Sequence, residues 1–106
     1  MKICVYGAGA IGGHLALRLH RGGADVAIVA RGPHLAAIQA NGLTVHAVDG
    51  AHNAHLRATS DPAELGPQDA VFVTVKAPAL PQIAAGIGPL LGRDTAVAFV
   101  DRKSVV

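Results

Sequence analysis

The sequence predicts an α/β domain: an open, mostly parallel sheet with helices on both faces and a small antiparallel excursion. Three observations carry this expectation. First, short apolar runs (Ile3-Cys4-Val5-Tyr6, Val26-Ala27-Ile28-Val29 and residues 70–75) alternate with segments of helical periodicity. Second, hydrophobic residues make up 51% of the chain, yet Tyr6, Phe72 and Phe99 are its only aromatics. A core of Ala, Val, Leu and Ile suits strands covered on both faces. Third, Gly7-Ala8-Gly9-Ala10-Ile11-Gly12 lies between the first run and the first helix. With 106 residues there is material for one domain, burying about two-thirds of its unfolded surface.

In chain order, a helix over 10–21 places Ile11, Leu15 and Leu19 on one face and stops at Gly22-Gly23. A strand over 25–29 follows, then a break at Arg31-Gly32-Pro33. Pro33 suits the first turn of a short helix with Leu35 and Ile38 on its apolar side, ended by Asn41-Gly42. Residues 43–47 read as a strand, 48–53 as a turn region containing the hairpin signal Asp49-Gly50, and 54–58 as a weaker returning strand. Asp61 before Pro62 resembles a capped helical turn. Residues 70–75 form a buried strand. A helix is expected over about 80–91, weakened by Pro81 and Gly86, and a last strand over 96–100.

The formal charge of +2 and pI of about 9.1 reflect few acids rather than a basic patch, so nucleic acid is not indicated. Cys4, the single cysteine, sits inside a strand and reads as a buried, inert thiol. Met1 leads straight into that strand, leaving no room for a signal peptide. No apolar run approaches the roughly 20 residues of a membrane span. A cytoplasmic protein with a small-molecule substrate is expected, and its oligomeric state is left open.

The glycine pattern G-x-G-x-x-G between strand and helix is the fingerprint of a dinucleotide-binding, Rossmann-like unit. Gly7 permits a sharp turn off the strand, Gly9 lets backbone approach a diphosphate, and Gly12 permits close packing of the helix. The candidate cofactor-binding residues are therefore Gly7, Ala8, Gly9, Ala10, Ile11 and Gly12, at a helix start whose free N–H groups favour anions. At the end of the second strand, where an NAD-binding unit carries a carboxylate, the chain reads Ala30-Arg31. A guanidinium there pairs with the extra phosphate of NADP, so NADP(H) is the expected cofactor and Arg31 joins the site. Lys76, after the 70–75 strand, falls at the carboxyl edge of the sheet where ligands gather and is the last candidate. His52 and His55 lie three apart in the turn region but lack a third ligand, so no metal is expected. No catalytic triad can be assembled.

The glycine fingerprint, Arg31, the 35–43 segment Leu-Ala-Ala-Ile-Gln-Ala-Asn-Gly-Leu and Val73-Thr74-Val75-Lys76 together resemble the N-terminal domain of the ketopantoate reductases (2-dehydropantoate 2-reductases) over residues 1–100. The resemblance implies NADPH-dependent reduction of 2-dehydropantoate to pantoate, in pantothenate biosynthesis. It also implies that Gly7 to Gly12 bind the diphosphate, that Arg31 binds the adenosine phosphate, and that Lys76 lies beside the cofactor and substrate cleft. Distant family members reduce other 2-oxo acids.

The family continues after its corresponding strand with an Asn-Gly pair. A helical domain follows, supplying a lysine general acid and a substrate-gripping carboxylate. Here the chain reads Asp101-Arg102-Lys103-Ser104-Val105-Val106, which is one translation of the start of a widely used sequencing adapter. The expectation is an incomplete NADP-binding domain over 1–100, a non-native tail over 101–106, no catalytic residue in the chain and no activity on its own. Two alternatives stay open: a nucleotide-binding or sensing module without chemistry, and a piece of another NADP-dependent dehydrogenase of hydroxyacid or opine type.

Overall fold

The computed structural model describes residues 1–7, 10–74 and 86–100. In chain order these form β1 (Lys2–Tyr6), α1 (Ala10–Arg21), β2 (Asp25–Val29), α2 (Gly32–Asn41), β3 (Leu43–Ala47), β4 (Gly50–Ala54), β5 (Arg57–Thr59), β6 (Gln68–Val73) and β7 (Leu91–Phe99). Short 3-10 turns occupy Pro62–Glu64 and Gly88–Leu90. The main sheet runs β5-β2-β1-β6-β7 and every pairing in it is parallel. β3 and β4 pair antiparallel as a separate hairpin. The expected Rossmann-like class is the one observed.

Side-chain alternation explains why the central strands are apolar beyond their polar first residues, Lys2, Asp25 and Gln68-Asp69. Val5, Val26 and Ile28 join a core on one face with Ala16, Leu17 and Ile38 from the helices and Leu43, Val45 and Ala54 from the hairpin. Cys4, Ala27, Val29, Val71 and Val73 face the opposite way, onto Leu65 and Leu90 beside the two 3-10 turns. A strand buried on both faces takes a polar side chain only where it is hydrogen-bonded, as Gln68 is to Leu65 O and Gly66 O. β7, at the sheet edge, leaves Leu91, Val97 and Phe99 exposed.

α1 has the predicted bounds, but Leu15 and Leu19 of the expected face do not lead its buried side. Gly12, Gly13, Ala16 and Leu17 are buried, while Leu15 and Leu19 are only half-buried. The helix turns its smallest residues inward, where its backbone runs close to the hairpin. A Cβ on Gly13 would sit 3.6 Å from Leu43 Cδ1 and 3.8 Å from Val45 Cγ2. The helix closes in a Schellman arrangement, Ala24 N–H donating to Leu19 O and Gly23 N–H to His20 O.

Three sequence expectations need correction. The hairpin turns tightly at Val48-Asp49, so the returning strand is 50–54 and not 54–58, and His52 sits on β4 rather than in a turn. Residues 57–59 instead join the main sheet beside β2. No Gly or Pro marks that change of sheet. It is driven by Leu56 and Ala58, which pack against the helix-side core. The strand expected over 70–75 is displaced toward the N-terminus, to Gln68–Val73.

The end of the expected 80–91 helix is also different. Residues 80–85 lie outside the described residues, but Gly88–Leu90 is a 3-10 turn and Leu91 already begins β7. Pro89 explains this, because its missing N–H and ring clash interrupt an α-helix. The last strand is thus 91–99 rather than 96–100. Lys76 and the 101–106 tail also lie outside the described residues. Asp61 caps its turn as expected, accepting a 3.0 Å hydrogen bond from Ala63 N–H.

Ile28 is fully buried on β2, next to β1. Ile28→Ala should cost about 2–5 kcal/mol, measured as a fall in the urea midpoint at unchanged slope.

Candidate functional site

All strands of the main sheet run the same way, so Tyr6, Val29, Thr59, Val73 and Phe99 end at one edge. From β1 the chain crosses through α1 to β2 on one side, and β6 leads to β7 on the other. The crevice at such a reversal, between β1 and β6, is where open α/β sheets bind ligands.

Gly7 leaves β1 at φ 102, a backbone angle that disfavours any side chain. Its N–H donates to Val29 O at 2.8 Å, so that amide is spent inside the fold and is no donor for a ligand. Thr74, just past β6, closes the other side. Its N–H donates to Tyr6 O at 3.0 Å, and its hydroxyl lies 2.8 Å from Gly7 O and 3.2 Å from Tyr6 O. Gly12 sits against both partners. A Cβ there would lie 2.3 Å from Gly7 O and 2.6 Å from Thr74 Oγ1. The first turn of α1 can therefore approach the crevice only because residue 12 has no side chain. Such a cradle fits a dinucleotide diphosphate, since the leading N–H groups of a helix have no intrahelical acceptor.

Of the sequence candidates, the structure brings Gly7, Ala10, Ile11 and Gly12 together at the start of α1. Ala8, Gly9 and Lys76 lie outside the described residues. Arg31 is at the carboxyl end of β2, one strand from the glycine turn, and is the N-cap position of α2 with extended backbone (φ −140, ψ 160). It is exposed, and its guanidinium makes no hydrogen bond or ion pair among the described residues. The neighbouring Ala30 N–H donates to Thr59 O at 3.0 Å, which fixes the chain just before it.

Two residues at the crevice are not site candidates from the sequence. Thr74 is legible there only as part of a family segment, since a threonine after a strand has many uses. Tyr6 ends β1 at the crevice, and a Cβ on Gly86 would lie 2.9 Å from its hydroxyl. Burial pushes the Tyr6 phenol above its usual range, Cys4 adds to this, and the Arg31 cation opposes it. Cys4 itself is fully buried, and desolvation pushes its thiol from 9.0 to about 12. Such a thiol stays protonated and is not a nucleophile. Among the described residues no group of His, Cys, Asp or Glu could hold a metal, and no helix is long and apolar enough to cross a membrane.

Gly12→Ala should dislodge the turn, costing about 1–3 kcal/mol by overpacking, and should abolish nucleotide binding in a fluorescence titration. Gly13→Ala, one residue on, meets only ordinary contacts and should fold and bind as well as the parent. Thr74→Val should cost about 1 kcal/mol and weaken binding less than Gly12→Ala does. For Cys4, a maleimide should label the folded chain far more slowly than the urea-unfolded chain. Above pH 9.0 the unfolded thiol ionises while the folded one stays neutral up to about 12, so stability should fall as pH rises through that window. A pH-independent urea midpoint there would contradict this assignment.

The family model described as Ketopantoate reductase PanE/ApbA matches residues 3–101. A 2-dehydropantoate 2-reductase of Mesorhizobium japonicum is 49% identical over 98 residues, covering 92% of this chain and 30% of that protein. A crystal structure of a candidate ketopantoate reductase from Ralstonia solanacearum superposes with TM-score 0.88 at 47% identity, over 93% of this chain and 31% of the other. A ternary structure of D-mandelate dehydrogenase with NADH and anilino(oxo)acetate gives TM-score 0.86 at 28% identity, over 95% of this chain and 33% of the other. The chain thus spans about a third of the length of the proteins it matches. On the extent of the family match, it belongs to the ketopantoate reductase family.

Proposed function

We propose that this chain is the NADP(H)-binding portion of a 2-dehydropantoate 2-reductase, which reduces 2-dehydropantoate to pantoate in pantothenate biosynthesis. The observation that carries the reading is the Gly7–Gly12–Thr74 contact at the β1/β6 crevice, with the exposed Arg31 guanidinium one strand away. On this reading the first turn of α1 holds the diphosphate through backbone N–H groups. Arg31 pairs with the adenosine phosphate in a forked contact, and Lys76 matches the family lysine beside the cofactor and substrate cleft. The reduced nicotinamide supplies the hydride for the 2-oxo carbon. The described residues are assigned binding and orientation rather than proton transfer, so the chain alone is expected to bind nucleotide without turnover.

The likeness to a D-mandelate dehydrogenase holding NADH supports one second reading, a piece of a different 2-hydroxyacid dehydrogenase. Cofactor preference discriminates between them. The 106-residue chain should bind NADPH more tightly than NADH by nucleotide fluorescence. Arg31→Asp should erase that preference, a loss of about three- to tenfold for NADPH, while NADH binding changes little. Equal affinities in the parent chain would remove Arg31 from the site and favour the second reading.

A further inference from the structure

Beside α1, an open cleft of about 790 Å³ runs between the helix and the β3–β4 hairpin, lined by His14, Arg18, His46, Val48 and Asp49. Its construction follows from two periodicities. His14 and Arg18 are four apart on α1 and so share one face, and both are exposed. On β3 the alternation that buries Leu43 and Val45 turns Thr44 and His46 outward. The cleft is open to solvent, and its described lining residues are separate from those of the crevice at the carboxyl edge of the sheet.

The described lining offers more hydrogen-bond donors than acceptors, which suits an anion. Asp49 is the only carboxylate among its described lining residues, and it is already engaged, with His52 Nε2 at 2.8 Å from Asp49 Oδ1. Arg21 Nη2 lies 2.6 Å from His52 Nδ1. A guanidinium cannot accept a hydrogen bond, so Nδ1 accepts from Arg21 and Nε2–H donates to Asp49. That chain ties the end of α1 to the hairpin, and the His52 hydrogen bond holds the Asp49 carboxyl below its usual range. His14, Arg18 and His46 are left with no hydrogen-bond or ion-pair partner among the described residues. Three donor-bearing side chains therefore converge on one cleft beside an exposed apolar wall, Val48.

The geometry points to a second binding site here, for a small phosphomonoester whose phosphate is held by His14, Arg18 and His46 and whose organic part lies on Val48. One carboxylate would leave donors unused, whereas a phosphomonoester brings three terminal oxygens and a charge of about −1.5 to −2. Arg18 contributes a fixed charge. His14 and His46 contribute imidazole N–H donors. Arg21 and His52 border the site, and Asp49 opposes binding. The inference does not rest on the cofactor reading.

Inorganic phosphate is the probe, titrated into the full 106-residue chain while the imidazole proton resonances are followed by NMR. The expected result is saturable shifts confined to His14 and His46. Arg18→Gln, an exposed substitution that leaves the core intact, should weaken binding about tenfold, and Arg31→Gln should leave it unchanged. Loss of binding in Arg31→Gln but not in Arg18→Gln would place the anion at the nucleotide site and overturn the proposal. Shifts that never saturate, or that are shared by His20, His34 and His55, would mean an adventitious ion only and would equally overturn it. Because the arms separate Arg18 from Arg31, failure here leaves the nucleotide reading standing.

Discussion

The structure depends on one close approach, that of Gly12 to Gly7 O and Thr74 Oγ1. It joins three elements that are distant in sequence: the exit of β1, the first turn of α1 and the segment after β6. Each participant constrains the others. The Gly7 carbonyl can face Thr74 only because Gly7 adopts a positive φ, and α1 can lie over that carbonyl only because residue 12 lacks a Cβ. The Thr74 hydroxyl then satisfies an oxygen that the helix would otherwise shield from water, where an unpaired carbonyl is costly. The β1/β6 reversal sets the position of the crevice, and this contact sets the spacing of its walls.

The same helix explains how little of its interior face is conventional. A helix that must start against a backbone turn and run beneath a hairpin cannot bury leucines along its whole length. It buries Gly12 against the Gly7 carbonyl and the Thr74 hydroxyl, Gly13 beside the Leu43 and Val45 side chains, and Ala16 and Leu17 in the core. Leu15 and Leu19 are left half-covered at the flanks. Periodicity in the sequence therefore identifies the helix and its ends correctly but misjudges its inward direction, because hydrophobic spacing counts large residues while close packing selects small ones.

Legibility elsewhere follows the same physics. β1, β2 and α2 are readable to within a residue or so because glycines and prolines bound them and because strands buried on both faces are apolar without interruption. β5 is not readable. Its three residues continue the hairpin strand with only His55 and Leu56 between, and the decision to change sheets is made by where Leu56 and Ala58 find a core. The end of the chain misleads for a more local reason. Ile87, Leu90 and Leu91 carry helical spacing, whereas Pro89 forbids the helix that this spacing suggests. At the site, Gly7, Gly12 and Arg31 carry their own chemical signatures. Thr74 does not, because its role exists only after β6 has been laid beside β1.

Cofactor choice, on the proposed reading, rests on two weak positive sources that coincide. A single exposed ion pair contributes about 0–1 kcal/mol in water, too little by itself for firm discrimination between NADPH and NADH. Arg31, however, is also the N-cap residue of α2, and it offers no side-chain hydrogen bond to that helix end. The leading N–H groups of α2 and its dipole therefore add to the guanidinium at the same place, worth about a further 0.3–1 kcal/mol for an anion there. Pro33 in that first turn removes one N–H but fixes the helix start, so the guanidinium is anchored at its root while its head stays free. An exposed arginine at a helix end without a side-chain cap leaves both the guanidinium and the leading N–H groups open to an anion. It is the arrangement expected where a phosphate completes both.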